Sequence, residues 1–179
     1  DLISVNYTGW IFDNNATTNN YCDAKGKMFD SNVLEEFQHT KLFQFVLGQG
    51  LWSPWYVGNT MKNLDKKYGK ERIIDTPVSE SACTGAAVGA SICGMKPIVV
   101  HPRMDFMLYA MDAIVNQAAK WFFMSGGKKS VPLVIRLIIG RGWGQGPQHS
   151  QSLEALFAHI PGLKVVSISN PKNAKGMDK

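Results

Sequence analysis

The chain is expected to be an α/β protein, a doubly wound, mostly parallel sheet with a β-rich N-terminal segment in front of it, and three observations carry that expectation. After residue 50, short and almost wholly apolar strands alternate with helix-length segments, the pattern of a parallel sheet covered on both faces. Before residue 50, β-branched and aromatic residues alternate and are separated by long polar connections. The charge changes at the same place: residues 1 to 50 carry three Lys, no Arg and six acidic residues, whereas residues 51 to 179 carry sixteen basic and eight acidic ones.

In chain order, Ile3 to Phe12 alternates as a strand should, and the stretch from Asp13 to Gly26, rich in Asn, Thr and Asp with no apolar period, predicts a loop. A short segment Met28-Phe29-Asp30 follows, then a strand at Leu42 to Leu47. Beyond Gly50, a helix is expected from Asn59, a suitable N-cap, to Tyr68, with Gly69 as the stop. The series continues with strand Arg72 to Asp75, helix Ser79 to Cys93, strand Pro97 to His101 and a long helix Asp105 to Met124 closed by Gly126-Gly127. Strand Val131 to Ile139, helix Ser150 to His159, strand Leu163 to Ile168 and a helix starting near Pro171 complete it.

Composition excludes several classes. With 45% apolar residues the chain can bury one domain's core, and no apolar run approaches the roughly 18 to 20 residues of a membrane span. Cys22, Cys83 and Cys93 are odd in number, and two lie in a small-residue helix where thiols pack as apolar groups, so no disulfide framework is expected. With an acidic start at Asp1 and no basic leader head, an intracellular setting, bacterial cytoplasm or mitochondrial matrix, is expected. Lys62, Lys66, Lys67 and Lys70 read as one helix's solvated face, so no nucleic-acid footprint is expected.

The densest signal is Asp75-Thr76-Pro77-Val78-Ser79-Glu80, followed by the small-residue run Ser81 to Ala90. It sets a carboxylate between the tip of a strand and the mouth of a helix. In open parallel sheets that junction faces the crevice where ligands collect. Taken alone, a Glu in a first helical turn is explained by the macrodipole. The glycine run Gly140 to Gly146 lacks a Gly-Lys-Ser/Thr ending and dinucleotide spacing, so it does not predict a nucleotide site.

Three motifs together are more specific: Lys70 to Glu80; Asn116-Gln117-Ala118-Ala119-Lys120 with Met124-Ser125-Gly126-Gly127; and Gln148-His149-Ser150-Gln151 with Pro161-Gly162-Leu163-Lys164-Val165-Val166. On these, residues 51 to 179 resemble the pyrimidine-binding domain of the β subunit of thiamine-diphosphate-dependent 2-oxo-acid dehydrogenases, the pyruvate and branched-chain type. The resemblance implies the thiamine-diphosphate-binding fold and a role in decarboxylating a 2-oxo acid and passing the acyl group to a lipoyl carrier. It assigns Glu80 to the aminopyrimidine ring nitrogen, where a partly desolvated carboxylate shares a proton with the ring and favours the imino tautomer. It places His149 near the substrate or lipoyl group, its imidazole reaching from a strand-end loop into the same crevice, although a capping or interface histidine is the other reading. It puts Met104 at an aromatic stacking position with Phe106 close by, core packing being the alternative for both. Gln49 stands where that family usually has Glu. His101 and His159 receive no catalytic role.

The same resemblance implies an α subunit, a second β subunit and a lipoyl-bearing acyltransferase as partners. The family's diphosphate and magnesium are held by a Gly-Asp-Gly motif on the partner; this sequence has none, so no metal ligands are expected here. The family's β subunit has a further C-terminal domain, and the chain is expected to be inactive alone.

Residues 1 to 50 resemble the first half of an FKBP-type peptidyl-prolyl isomerase, through Val5 to Trp10, Gly26 to Ser31 and Phe43 to Gly48. Tyr7, Phe29, Asp30 and Phe43 match pocket-lining positions, but Leu51-Trp52-Ser53-Pro54 stands where that family has its pocket floor. The chain thus reads as a chimera with a boundary near Gly50. The competing functions are a proline-isomerase or chaperone-like binder and a non-catalytic subunit-interaction module.

Overall fold

The computed structural model describes the backbone of residues 8–12 and 25–31, and residues 44–53, 60–140, 144–168, 170 and 173. Strands β1 (Thr8–Phe12) and β2 (Lys25–Ser31) form an antiparallel pair, with Gly9 opposite Asp30 and irregular register on either side of Trp10. The main sheet is parallel and has four strands: β3 (Gln44–Gln49), β4 (Ile73–Thr76), β5 (Lys96–Val100) and β6 (Val134–Arg136), in the order β4-β3-β5-β6. This is the α/β architecture expected from the alternating pattern. The strand expected at Leu42 to Leu47 lies slightly later and joins the parallel sheet at its centre, so Gln44–Gln49 belongs with the strands after residue 50 rather than with β1 and β2.

Alternation along β3 and β5 divides the core into two faces. Leu47 and Val99 turn to one side and pack with Ala87 of helix α2 (Glu80–Ile92), with half-buried Phe45, Cys83 and Ile135 around them. Val46, Ile73, Ile98 and Val100 turn to the other and meet Leu51 and Met61. A third cluster, Met104, Met107, Ala110, Ile114 and Phe157, packs against Ile135, Leu137, Ile139 and Leu163.

Gly48 pairs with Val100, and a Cβ on it would collide with the Val100 carbonyl oxygen, so β3 and β5 approach this closely only with glycine there. Beyond β3 the chain turns at once, because Asp75 Oδ1 accepts the N–H groups of Gly50 (2.6 Å) and Leu51 (3.1 Å). Trp52 Nε1 donates to the Ile73 carbonyl at 2.7 Å, and Lys70 Nζ sits 4.1 Å from its ring centroid. The exit of β3 is therefore stitched to both ends of β4.

Several elements differ from expectation. Helix α1 is only Leu64–Tyr68, because Asn63 adopts a left-handed φ of 63° and breaks the run; Asn59 lies outside the described residues. Gly69 ends α1 as expected, and Lys62, Lys66, Lys67 and Lys70 are all exposed. The long helix is one helical run with changing hydrogen bonding: α3 (Met104–Met107), a 3₁₀ turn (Leu108–Ala110), a π-helical stretch (Asp112–Ala118) and α4 (Ala119–Met124). It ends where Gly126 and Gly127 take positive φ.

The strand expected over Val131 to Ile139 is reduced to β6, since Leu137 and Ile139 instead pack into the cluster beneath α3. The helix expected over Ser150 to His159 is shortened to α5 (Glu154–Ala158), with a separate 3₁₀ turn ahead of it at Pro147–His149, because Gln151 and Leu153 are drawn into contacts with Asp105 and Met104. Leu163 to Ile168 forms no strand: Leu163 is half-buried, while Val165, Val166 and Ile168 stay exposed. The preceding turn is fixed by Lys120 Nζ donating to the Pro161 carbonyl at 3.1 Å and by Gly162, whose α-carbon abuts the Ala119 carbonyl. The helix expected at Pro171 falls outside the described residues, save Asn173.

Gly48→Ala is expected to lower stability by about 1–3 kcal/mol through overpacking at Val100. Gly85→Ala, on α2 where an added Cβ meets nothing within 4 Å, is expected to raise it by roughly 0.4–1 kcal/mol. Urea unfolding of the two variants checks the contrast.

Candidate functional site

Strands β3, β4 and β5 end together at one edge of the sheet, and their carboxyl ends make a crevice with the first turns of α2. It is narrow and partly open to solvent, with room for little more than a water molecule, and its wall includes Gly48, Gln49, Thr76, Glu80, Cys83 and His101. This is the edge where parallel sheets bind ligands, because neither covering helices nor crossing connections close it.

Glu80 is the first residue of α2 and is half-buried at this wall. Ser79, extended before it, makes no side-chain cap, and Pro77 allows the sharp step from strand to helix. The helix thus presents a carboxylate, stabilised by its own N-terminal dipole, to the crevice. Thr76 Oγ1, on the same wall, is buried without a hydrogen-bond partner.

The floor contains a histidine that sequence reasoning had set aside. His101 is only 2% exposed, its N–H donates to the Arg136 carbonyl at 3.0 Å, and its Nε2 shares a 3.1 Å hydrogen bond with Thr84 Oγ1, one turn along α2 from Glu80. Burial lowers its pKa from 6.5 to about 4, so the imidazole is neutral at physiological pH. A polar residue directly after an apolar strand and opposite a Thr on the preceding helix was the available signal.

His149, Phe106 and Met104 do not line this crevice. The ring of His149 stands edge-on against Phe106, centroids 4.9 Å apart at 80°, and its Nδ1 is buried without a hydrogen-bond partner. Met104 is 3% exposed in the core, its sulfur accepting the Leu153 N–H at 3.2 Å, so it is not presented as a stacking surface. The expectation that His149 shares Glu80's crevice gives way to a neighbouring position built around Phe106.

Two charged residues that sequence reasoning passed over hold that neighbouring position. Arg103 (5% exposed) donates to the Gly140 carbonyl at 2.9 Å and to Gln145 Oε1 at 3.3 Å, and Asp105 (8%) accepts from Gln151 N–H and Nε2 at 3.2 and 2.8 Å. Among the described residues no cluster of His, Cys, Asp or Glu could hold a metal ion, and no helix is long and apolar enough to cross a membrane. Tyr7 and Phe43 lie outside the described residues; Phe29 and Asp30 lie on β2, where Asp30 pairs with Gly9 along the backbone.

Residues 25–179 match the family model described as transketolase, pyrimidine binding domain. The chain is 53% identical over 116 residues to the β subunit of an acetoin:2,6-dichlorophenolindophenol oxidoreductase from Cupriavidus necator, covering 65% of this chain and 34% of that protein. It is 49% identical over 118 residues to the pyruvate dehydrogenase E1 component β subunit of Porphyra purpurea (66% and 36%), and 44% identical over 135 residues to the mitochondrial one of Homo sapiens (75% and 38%). The chain thus spans about a third of the length of these relatives.

Because His101 binds its proton less readily folded than unfolded, its contribution to stability is complete above pH 6.5 and is lost as pH falls toward 4, a loss of about 3 kcal/mol. His101→Gln, which cannot titrate, is expected to flatten that part of the curve of unfolding free energy against pH.

Proposed function

We infer the function from one premise: the chain belongs to the transketolase pyrimidine-binding domain family. It is the pyrimidine-binding part of a thiamine-diphosphate-dependent 2-oxo-acid dehydrogenase β subunit, acting in decarboxylation of a 2-oxo acid and acyl transfer to a lipoyl carrier. The observation that carries this reading is Glu80, half-buried at the mouth of α2 and facing the crevice at the ends of β3, β4 and β5.

The residues around the crevice, rather than its present width, suit a flat heteroaromatic ring with polar edges. Val99, Val100 and Pro77 supply an apolar wall, Glu80 a carboxylate and Thr76 an unsatisfied hydroxyl. Bound there, thiamine diphosphate would supply a thiazolium carbon acid whose deprotonated form is the nucleophile that a 2-oxo acid needs before it can lose carbon dioxide. Glu80 would hydrogen-bond the aminopyrimidine nitrogen and hold the proton that favours its imino tautomer. Neutral His101 braces α2 against β5 through Thr84 and adds no positive charge beside that carboxylate. His149 would serve at the substrate side as a proton donor or acceptor. The diphosphate and magnesium would be held by an α subunit, with a second β subunit and a lipoyl-bearing acyltransferase as further partners. The relatives' names, each a β subunit, support the α subunit among these partners.

A second reading concerns the chain ahead of β3. β1 and β2 pair antiparallel with each other and, among the described residues, join no strand of the parallel sheet; the isomerase-like segment rests on that separation alone, and the family match, which starts at residue 25, takes in β2. Tyr7, Phe29, Asp30 and Phe43 would then line half of a proline-peptide pocket.

In the complex with an α subunit, Glu80→Gln is expected to reduce turnover by about 10²–10⁴-fold while leaving assembly, read by sedimentation, unchanged. Normal turnover by that variant removes Glu80 from the mechanism. Measurable isomerisation of a proline peptide by the isolated chain would favour the second reading.

A further inference from the structure

We infer that Arg103 and Asp105 are positioning residues for His149, acting by clamping both ends of the loop that carries it; this rests on the proposed role of His149. The geometry is a row of successive attachments. Between β5 and the helical run, the Met104 N–H donates to the Ile138 carbonyl (3.0 Å), ahead of the loop. Arg103 Nη1 reaches the Gly140 carbonyl (2.9 Å) where the loop begins, and Nη2 reaches Gln145 (3.3 Å) within it. Asp105 Oδ1 takes both the backbone and side-chain donors of Gln151, where the loop ends. The Met104 sulfur accepts the N–H of Leu153 just beyond, and the Gly140 N–H donates to the Gln151 carbonyl at 2.9 Å, closing the loop's base. Phe106, the next residue of the same segment, meets the His149 ring edge-on.

Chemistry explains why charges are used. Glycines at 140, 144 and 146, all at positive φ, leave the loop backbone with many conformations to lose, and apolar contacts alone fix no orientation. A buried guanidinium and a buried carboxylate are costly unless their hydrogen bonds are made, so they favour the one loop arrangement that makes them. The consequence is a single placement of the imidazole over Phe106, which is what proton transfer at a bound substrate requires.

The test uses the chain alone and in complex with an α subunit. In the chain, the ring protons of His149 should carry a ring-current shift from Phe106 in NMR spectra. Asp105→Ala should abolish that shift, and Asp105→Asn, whose Oδ1 still accepts from Gln151, should keep it. In the complex, Asp105→Ala should lower kcat by about ten- to a hundredfold with Asn again rescuing, and the Asp105→Ala/His149→Gln double variant should be no slower than His149→Gln. Should Asp105→Ala fail to fold, Gln145→Ala and Gln151→Ala, both exposed, carry the same measurements. A retained ring-current shift in Asp105→Ala, or a double variant slowed by the full Asp105→Ala factor beyond His149→Gln, overturns the inference. A His149→Gln variant at wild-type turnover sinks the role of His149 instead, and the NMR comparison then decides the clamp by itself.

Discussion

The close approach of β3 to β5 is the constraint on which the site is built. Gly48 and Val100 are register partners at the carboxyl end of the sheet, and the backbone of one strand lies where any side chain of the other would stand. That contact brings the exits of two strands together, and Asp75 binds the turn after β3 to the end of β4, so three strand ends converge on one small edge. Hydrogen bonds donated by two successive backbone N–H groups to one carboxylate oxygen do at this turn what a longer connection would do with apolar packing. The chain can then step directly from strand to helix at Pro77, and the first helical residue, Glu80, arrives at the crevice.

Around that edge the protein buries polar groups of three kinds and treats each differently. His101 is kept neutral by burial and spends its nitrogen on Thr84. Arg103 Nη1 and Nη2 and Asp105 Oδ1 bond to loop groups up to 46 residues away, so part of their desolvation is offset only when the Gly-rich loop is in place, while Asp105 Oδ2 is buried without a hydrogen-bond partner. Glu80 remains half exposed. The carboxylate with the proposed chemical role is thus the one most accessible to a ligand, while the deeper groups are committed to holding backbone.

Much of this was legible in sequence for a physical reason. Apolar runs such as Lys96–Val100, followed by small-residue or amphipathic segments, encode a covered parallel strand by period alone, and Gly69, Gly126 and Gly127 stop helices because they supply positive φ. The placement of Glu80 likewise follows from strand, proline and helix in direct succession. Other features depended on contacts made far along the chain. Gln44–Gln49 reads as an isolated β-rich segment until its partners, residues 73–76 and 96–100, are known. Leu163 to Ile168 has the composition of a strand, but composition does not supply the neighbouring backbone that a strand needs, and its apolar side chains remain largely at the surface. Met104 reads as a pocket residue by motif position; its burial is decided by Phe157, Ile114 and Leu153, which no local pattern points to.

The segment from His101 to Phe106 joins the two halves of the site. Its backbone continues the β5–β6 pairing past the strand ends, through His101 to Arg136 and Met104 to Ile138. Its side chains then alternate in duty: His101 turns to α2 and the crevice of Glu80, Arg103 and Asp105 grip the loop of His149, and Met104 anchors both from the core. The segment bends at Pro102 and enters α3 at Met104, and backbone hydrogen bonds on both sides of the bend tie it to Arg136 and Ile138. The crevice that would take a heterocycle and the loop that would face a substrate are therefore attached to the same six consecutive residues, which lead from β5 into α3.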